Sequence, residues 1–348
     1  MRNYVLCFLL TAGWLSAAFS QLEAQPPLLR ISGTEALYEI SGPCAFSPED
    51  QPSFAARDFD ASGWARIACN KPWVLVPEFA EVAGPAWFRV HLDILDPAAL
   101  RSPALFLPLH YRGAQVYLNG RLIRETRPFD GKGATPRIPG KPELIPLPPD
   151  LIAPGKNIIA LRTEALSYWG GFDGSLFFGA ADLLEDRWLA RMIRYSALAF
   201  VSMFVGLYFF LYFLQRRAER YNLHIALASF GLGAWILGYR GLIFYIFDNY
   251  AVYVALTFAG AILCNVFVMR FIHSFLDFRR NYFALFLEYF SYALVAALIG
   301  EFAATGLIAF FTQFLFLGFM SISLLIAIYL LVLCVRGALQ RRPFSGRI

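Results

Sequence analysis

Few residues of this chain have the type and spacing that chemistry requires. Asp58, Asp60, Glu78 and Glu81 lie close in sequence. Splitting a glycosidic bond needs two carboxylates held across that bond. These four sit in turn-rich segments and read as solvated loop charges. His91 and His110 are far apart, with no cysteine or carboxylate at ligand spacing, so no metal site is expected. The chain has no G-x-S-x-G motif and no phosphate loop. The sequence therefore predicts no catalytic residue, no cofactor and no enzyme. Binding is the better reading. A site for a polyhydroxylated ligand uses aromatic faces against C–H surfaces and planar polar groups against hydroxyls. The candidates on loops or strand ends are Trp73, His110, Arg112, Trp169 and Asp173. The stretch "SYWGGFDG" (167–174) stands out as an aromatic, glycine-rich loop that a ligand could approach closely.

Short strands must position these residues. "AWFRVHLDIL" (86–95) alternates in polarity, and "ALFLPLHY" (104–111) reads as a buried strand. "AQVYLNGRLIRE" (114–125) is a hairpin, because Asn119-Gly120 tolerates the positive φ of a two-residue turn. "NIIALRTEAL" (157–166) and "GSLFFG" (174–179) follow as further strands. Closely spaced strands with Gly/Pro turns predict an all-β jelly roll or β-sandwich over 25–180. Trp64 and Trp87 read as its framework, and Asn119 as a turn former.

The rest of the chain has a different composition. Overall hydrophobic content is 58%, too high for an ordinary soluble domain. Residues 1–24 carry Arg2, an apolar stretch and small residues before "QPP", the pattern of an export signal peptide. Export into an oxidising compartment permits a Cys44–Cys69 disulfide, which two cysteines do not by themselves establish. Residues 181–192 have helical spacing and form a linker. After it come apolar runs at 193–215, 224–245, 250–274, 284–304 and 307–335. Each approaches or exceeds the ~20 residues that cross a bilayer. The expected second half is thus an all-α polytopic bundle of about five spans, with the lipid bilayer as partner.

The arginines orient it. Arg216, Arg217 and Arg220 follow the first run, Arg279 and Arg280 the third, and Arg336, Arg341, Arg342 and Arg347 the last. The positive-inside rule then puts the β-domain outside and the basic tail, 336–348, in the cytoplasm. Every lysine lies at or before Lys156, and the net charge of +5 reads as topology. No basic-plus-aromatic stripe points to nucleic acid.

Three motifs in order carry a resemblance: Asp60 with Trp64, Trp87-Phe88-Arg89, and the Val116–Gly120 hairpin. Over roughly 40–179 the chain resembles the sugar-binding jelly roll at the front of family-2 glycoside hydrolases. A signal peptide, such a galactose-binding-like domain, a helical link and N-out helices together look like the bacterial seven-transmembrane receptors with diverse intracellular signalling modules. That resemblance implies an inner-membrane sensor, usually a dimer, that passes a carbohydrate or other small-molecule signal to a cytoplasmic kinase, cyclase or phosphatase. The pattern departs at "VRGALQRRPFSGRI" (335–348), where neither two further helices nor an output module follows. The expectation is a piece of a longer receptor, or a short form that works through a partner. The alternative is a membrane-anchored carbohydrate-binding or protein-interaction subunit of the cell envelope.

Overall fold

The computed structural model describes residues 29–339, apart from 34–35, 41, 83, 111–112, 127–140, 166–169, 240–241, 247–251, 254 and 306–310. The expected leader over 1–24 lies outside the described residues, as does the tail beyond 339. The chain divides into two compact units, one over Glu23–Met192 and one that includes Ile193–Ile348.

The first unit is a β-sandwich. Its strands are β1 (Leu29–Ile31), β2 (Tyr38–Ile40), β3 (Pro43–Ser47), β4 (Ala65–Ala68), β5 (Pro85–Ile94), β6 (Pro103–Leu107), β7 (Leu109–His110), β8 (Ala114–Leu118), β9 (Arg121–Glu125), β10 (Glu143–Pro146), β11 (Gly155–Glu164), β12 (Phe172–Asp173) and β13 (Leu176–Ala180). The larger sheet has the order β4-β3-β5-β11-β8-β9, with β1 parallel to β5. The second has the order β10-β6-β13-β2, and β12 pairs β7 alone. Period-2 alternation puts Ala114, Val116 and Leu118 of β8 into the core, while Gln115 and Tyr117 point away. Phe46, Phe88, Val90, Leu92, Ile159 and Leu161 of the larger sheet meet Ile40, Leu105, Leu107, Ile145, Leu176 and Phe178 of the smaller one. Each such side chain contributes about 1.5–3 kcal/mol by leaving water.

Both outer faces of the sandwich are also covered. Over the larger sheet, Phe54, Phe59 and Trp64 close on Trp87, Tyr117, Ile158 and Ala160. On the smaller sheet, the helix α1 (Ala181–Gln215) starts directly after β13. Its first turns bury Leu184 and set Trp188 against Phe106 at 5.1 Å between ring centres. Residues 181–192 are the first turns of this continuous helix, and they pack on the β-unit.

The hairpin between β8 and β9 turns where the sequence predicts. Asn119 and Gly120 have φ of 49° and 91°, and Leu118 pairs Arg121. Cys44 of β3 and Cys69, just past β4, are joined as a disulfide across a separation of 25 residues. Closing a loop of that length stabilises the folded state by roughly 3 kcal/mol. Both cysteines are buried, so reductant should not open the bond in the native protein. We expect Cys44→Ser with Cys69→Ser to lower the urea midpoint of the β-unit, and dithiothreitol to reproduce that shift only when present during unfolding.

His91 on β5 supplies a pH test. Burial, then the charges of Lys156, Arg89 and Arg66, push its imidazole from 6.5 down to about 4. The unfolded chain therefore binds a proton that the folded one refuses. His91's contribution to stability is complete above pH 6.5 and is lost as pH falls towards about 4. His91→Gln should flatten the fall in melting temperature across that window; an unchanged profile would show that other groups set the acid limit.

The second unit is helical. It holds the rest of α1, then α2 (Arg220–Tyr239), α3 (Gly260–Phe275) after a π-helical turn at Ala255–Ala259, α4 (Tyr282–Thr305) and α5 (Phe311–Leu339). Among the described residues four helices are long and apolar enough to cross a membrane: Ala181–Gln215, Leu256–Phe275, Tyr282–Gly300 and Gly318–Ala338. The fifth expected span, 224–245, is present as α2 but is not among these four. It is the helix of small and polar residues, with Asn222, Ser229, Gly231, Gly233 and Gly238 buried. A Cβ on Gly231 would lie 2.8 Å from the Gly260 carbonyl oxygen, so α2 and α3 touch backbone to backbone. Asn265 donates to Ser323 Oγ at 3.0 Å, tying α3 to α5.

Candidate functional site

Three of the candidate ligand residues, Trp73, His110 and Asp173, fall along one seam of the β-sandwich, built by backbone pairing. Trp73 N donates to the Gly170 carbonyl at 3.1 Å, and Gly174 N to the Asn70 carbonyl at 3.2 Å. Pro72 bridges Gly171, and Phe172 pairs His110. The stretches 70–73, 109–110 and 170–174 therefore run against one another. His110 extends the seam: its Nε2 lies 2.9 Å from Thr126 Oγ1, which also accepts from Ala114 N at 3.0 Å.

Burial divides the candidates. Trp73 is fully enclosed; its ring packs at 5.5 Å from Phe46 and 6.1 Å from Phe88, and its Nε1 donates to the Val82 carbonyl at 3.1 Å. In this structure the Trp73 ring is enclosed by protein side chains. His110 is likewise fully buried, with its Nδ1 3.2 Å from the Pro108 carbonyl. Asp173 is exposed, as a contact residue requires. Arg112 and Trp169 lie outside the described residues.

The glycines of "WGGF" have a different reason from the one the sequence suggests. A Cβ on Gly170 would fall 2.0 Å from Cζ2 of Trp73. Gly171 adopts a φ of 93°, where only glycine is unstrained. Gly170 thereby permits the close approach of the Trp73 ring.

Two polar residues on or beside the seam were not legible in the sequence. Asn70 Oδ1 is enclosed with no hydrogen-bond partner. Glu164, at the end of β11, is a buried carboxylate whose amide donates to the Gly113 carbonyl at 3.2 Å. Asn70 sits in "CNKPW", where Asn before Lys-Pro reads as a turn. Glu164 ends an alternating strand at a position that usually faces water. Neither pattern signals burial. Among the described residues no three His, Cys, Asp or Glu side chains converge as a metal ion would need.

The residues of the motifs that carry the resemblance make structural contacts here. Asp60 accepts from Ser62 N at 2.9 Å and Ser62 Oγ at 3.0 Å, shaping the turn before Trp64; these bonds hold its carboxyl below the usual range. Trp87 Nε1 donates to Asp50 Oδ1 at 2.9 Å, and Arg162 grips both oxygens of the same carboxylate at 2.7 and 2.5 Å. The Arg162 contacts and the Trp87 bond hold Asp50 ionised against its partial burial. Arg89 binds three carbonyls of the 54–59 segment.

No protein-family model matches the chain, and no curated protein does. Solved structures with similarity include a beta-glucuronidase of Bacteroides uniformis, at 16% identity and a TM-score of 0.34, covering 41% of this chain and 17% of that one. A glycosyl hydrolase family 2 member from Bacteroides cellulosilyticus gives 19% identity and a TM-score of 0.33, covering 41% and 20%. A glucuronidase of Ruminococcus gnavus gives 13% and 0.32, covering 41% and 29%. The chain thus spans under a third of the length of each of these enzymes.

Proposed function

We propose that this protein is a membrane-bound receptor of the bacterial seven-transmembrane signalling type, whose β-sandwich binds a carbohydrate or similar small ligand outside the cytoplasmic membrane. The observation that carries the proposal is the path from the seam to the helix. Gly174 of the seam is followed by β13, and β13 runs without a break into α1, whose Leu184 and Trp188 pack on the same sheet. A ligand held at Asp173 would sit a few residues from the strand that pulls on that helix. In this reading the chain is inserted with its β-domain periplasmic and its C-terminal end cytoplasmic, acts as a homodimer and hands its signal to a kinase or cyclase partner. The residues that would meet the ligand are Asp173, Arg112 and Trp169.

The burial of Trp73 and His110 favours a second reading, a membrane-anchored interaction subunit without signalling, because it removes two of the expected ligand contacts. One experiment separates them. The full chain in detergent is screened by thermal shift against mono- and oligosaccharides. A ligand that binds only the folded state raises the melting temperature by mass action. A specific rise that Asp173→Ala or Trp169→Ala abolishes supports the receptor. No shift with any sugar, in a protein that melts cooperatively, supports the interaction subunit.

A further inference from the structure

The arginine-bearing ends of α2, α3 and α4 meet in a cluster that has more cations than anions. Glu288 of α4 is almost completely buried and is ion-paired to Arg270 of α3 and to Arg280, whose Nη1 lies at 3.1 Å. One carboxylate thus faces two guanidinium groups. Arg270 sits by the rings of Phe267 and Tyr292, at 5.7 and 5.8 Å from their centres, and its Nε is enclosed without a partner. His224 of α2 stacks near the same Phe267 at 6.3 Å, and its Nδ1 is also enclosed without a partner. Arg220, Arg270, Arg280 and Glu288 all lie within electrostatic reach of His224. Glu219 does not balance them. It is taken up by the Tyr221 hydroxyl at 2.7 Å, Asn222 Nδ2 at 2.9 Å and Arg216 at 3.3 Å. The 276–281 turn adds Asp277 and Arg279, which cancel.

Unsatisfied buried donors and an excess positive charge both cost free energy. An anion with several oxygens, accepting from the exposed parts of the Arg280 and Arg270 guanidinium groups, offsets the excess charge. The surroundings are apolar and aromatic, with Phe275, Phe283 and Phe286 exposed at the same helix ends. We propose that this end of α2–α4 is a phosphate site, filled by the headgroup of an anionic phospholipid or by a free phosphate.

The test uses the full chain in nanodiscs of phosphatidylcholine, with increasing phosphatidylglycerol, and separately in detergent with inorganic phosphate against chloride at equal ionic strength. The site predicts a rise in melting temperature with at least one of the two phosphates, and the responding arm names the source. Arg280→Gln should remove roughly half of that rise or more. Arg216→Gln with Arg217→Gln should leave it, although it removes two nearby positive charges. If Arg280→Gln does not fold, Arg270→Gln with Glu288→Gln deletes the ion pair as a pair and should also shrink the rise. No response to either phosphate overturns the site. So does a response that survives the site variants, or one that the Arg216/Arg217 control lowers equally, since that is diffuse attraction to a negative surface.

Discussion

Replacing Arg89 by methionine is expected to destabilise the β-sandwich by about 3–5 kcal/mol, since each buried carbonyl left without a donor costs about 1–3. Arg89 lies on β5 with its side chain only 1% exposed. Its guanidinium donates to the carbonyls of Phe54, Ala56 and Phe59, the Ala56 bond at 3.0 Å and the Phe59 bond at 3.2 Å. Burial lowers its pKa and nearby Asp58 raises it, but a guanidinium stays charged. The hydrogen bonds that its two terminal nitrogens make all go to backbone carbonyls, so its loss leaves three carbonyls facing an apolar gap. The segment they belong to covers Trp87, Ile158 and Ala160. Once it lifts, that face of the sheet is wet. Arg89→Lys keeps the charge but not the fork of donors, and should cost about 1–2 kcal/mol. Urea unfolding of the full chain in detergent, followed by tryptophan fluorescence, reports the event directly because Trp64 and Trp87 lie under the clamp. A methionine variant within 1 kcal/mol of wild type would mean that the segment is held by its aromatic contacts and not by Arg89.

Asn157→Ala should cost about 3–4 kcal/mol, since each orphaned buried group costs about 1–3. Asn157 is fully buried at the start of β11. Its Oδ1 accepts from Ala153 N at 2.9 Å and Asn119 Nδ2 at 2.8 Å; its Nδ2 donates to the carbonyls of Ala153 at 2.7 Å and Gly155 at 2.9 Å. Asn119 completes the node: its Oδ1 accepts from Ile158 N at 2.9 Å and its Nδ2 also reaches the Leu151 carbonyl at 2.8 Å. The hairpin turn is thereby stapled to the loop that enters β11. Asn157→Asp is the sharper probe. It keeps both accepted bonds but turns a carboxylate oxygen towards two carbonyls. Its melting temperature should lie well below wild type at neutral pH and recover on acidification, relative to wild type, as the carboxyl gains a proton to donate. A variant whose deficit is independent of pH would refute the assigned amide orientation.

Much of the architecture was legible because it is local. The Asn119-Gly120 turn, the alternation of β8, and the boundary between a β half and an apolar helical half all depend on neighbouring residues. Length and apolarity alone pointed to five membrane-crossing runs, and four of the described helices meet both criteria in the structure. The α2 segment shows where that reading weakens. Its small and polar residues pack against α3, so its length resembles the others while its apolarity does not.

The site was less legible, since burial is not a local property. Trp73 and His110 look like ligand residues by type and loop position; the seam encloses both. Gly170 looks like an opening for a ligand, and the Trp73 ring fills it. Arg89 reads as an outward position in an alternating strand, yet the 54–59 segment folds over it. By itself the sequence determined the element types, the turn and the division of the chain, because φ preferences and hydrophobic period act over a few residues. Only the tertiary structure decided which polar groups are functional candidates and which are structural ties. The partners that settle the matter are remote, with Asp50 and Arg162 separated by 112 residues and Asn119 and Asn157 by 38. No pattern within either stretch can encode such a contact; it exists only once the sheets have packed.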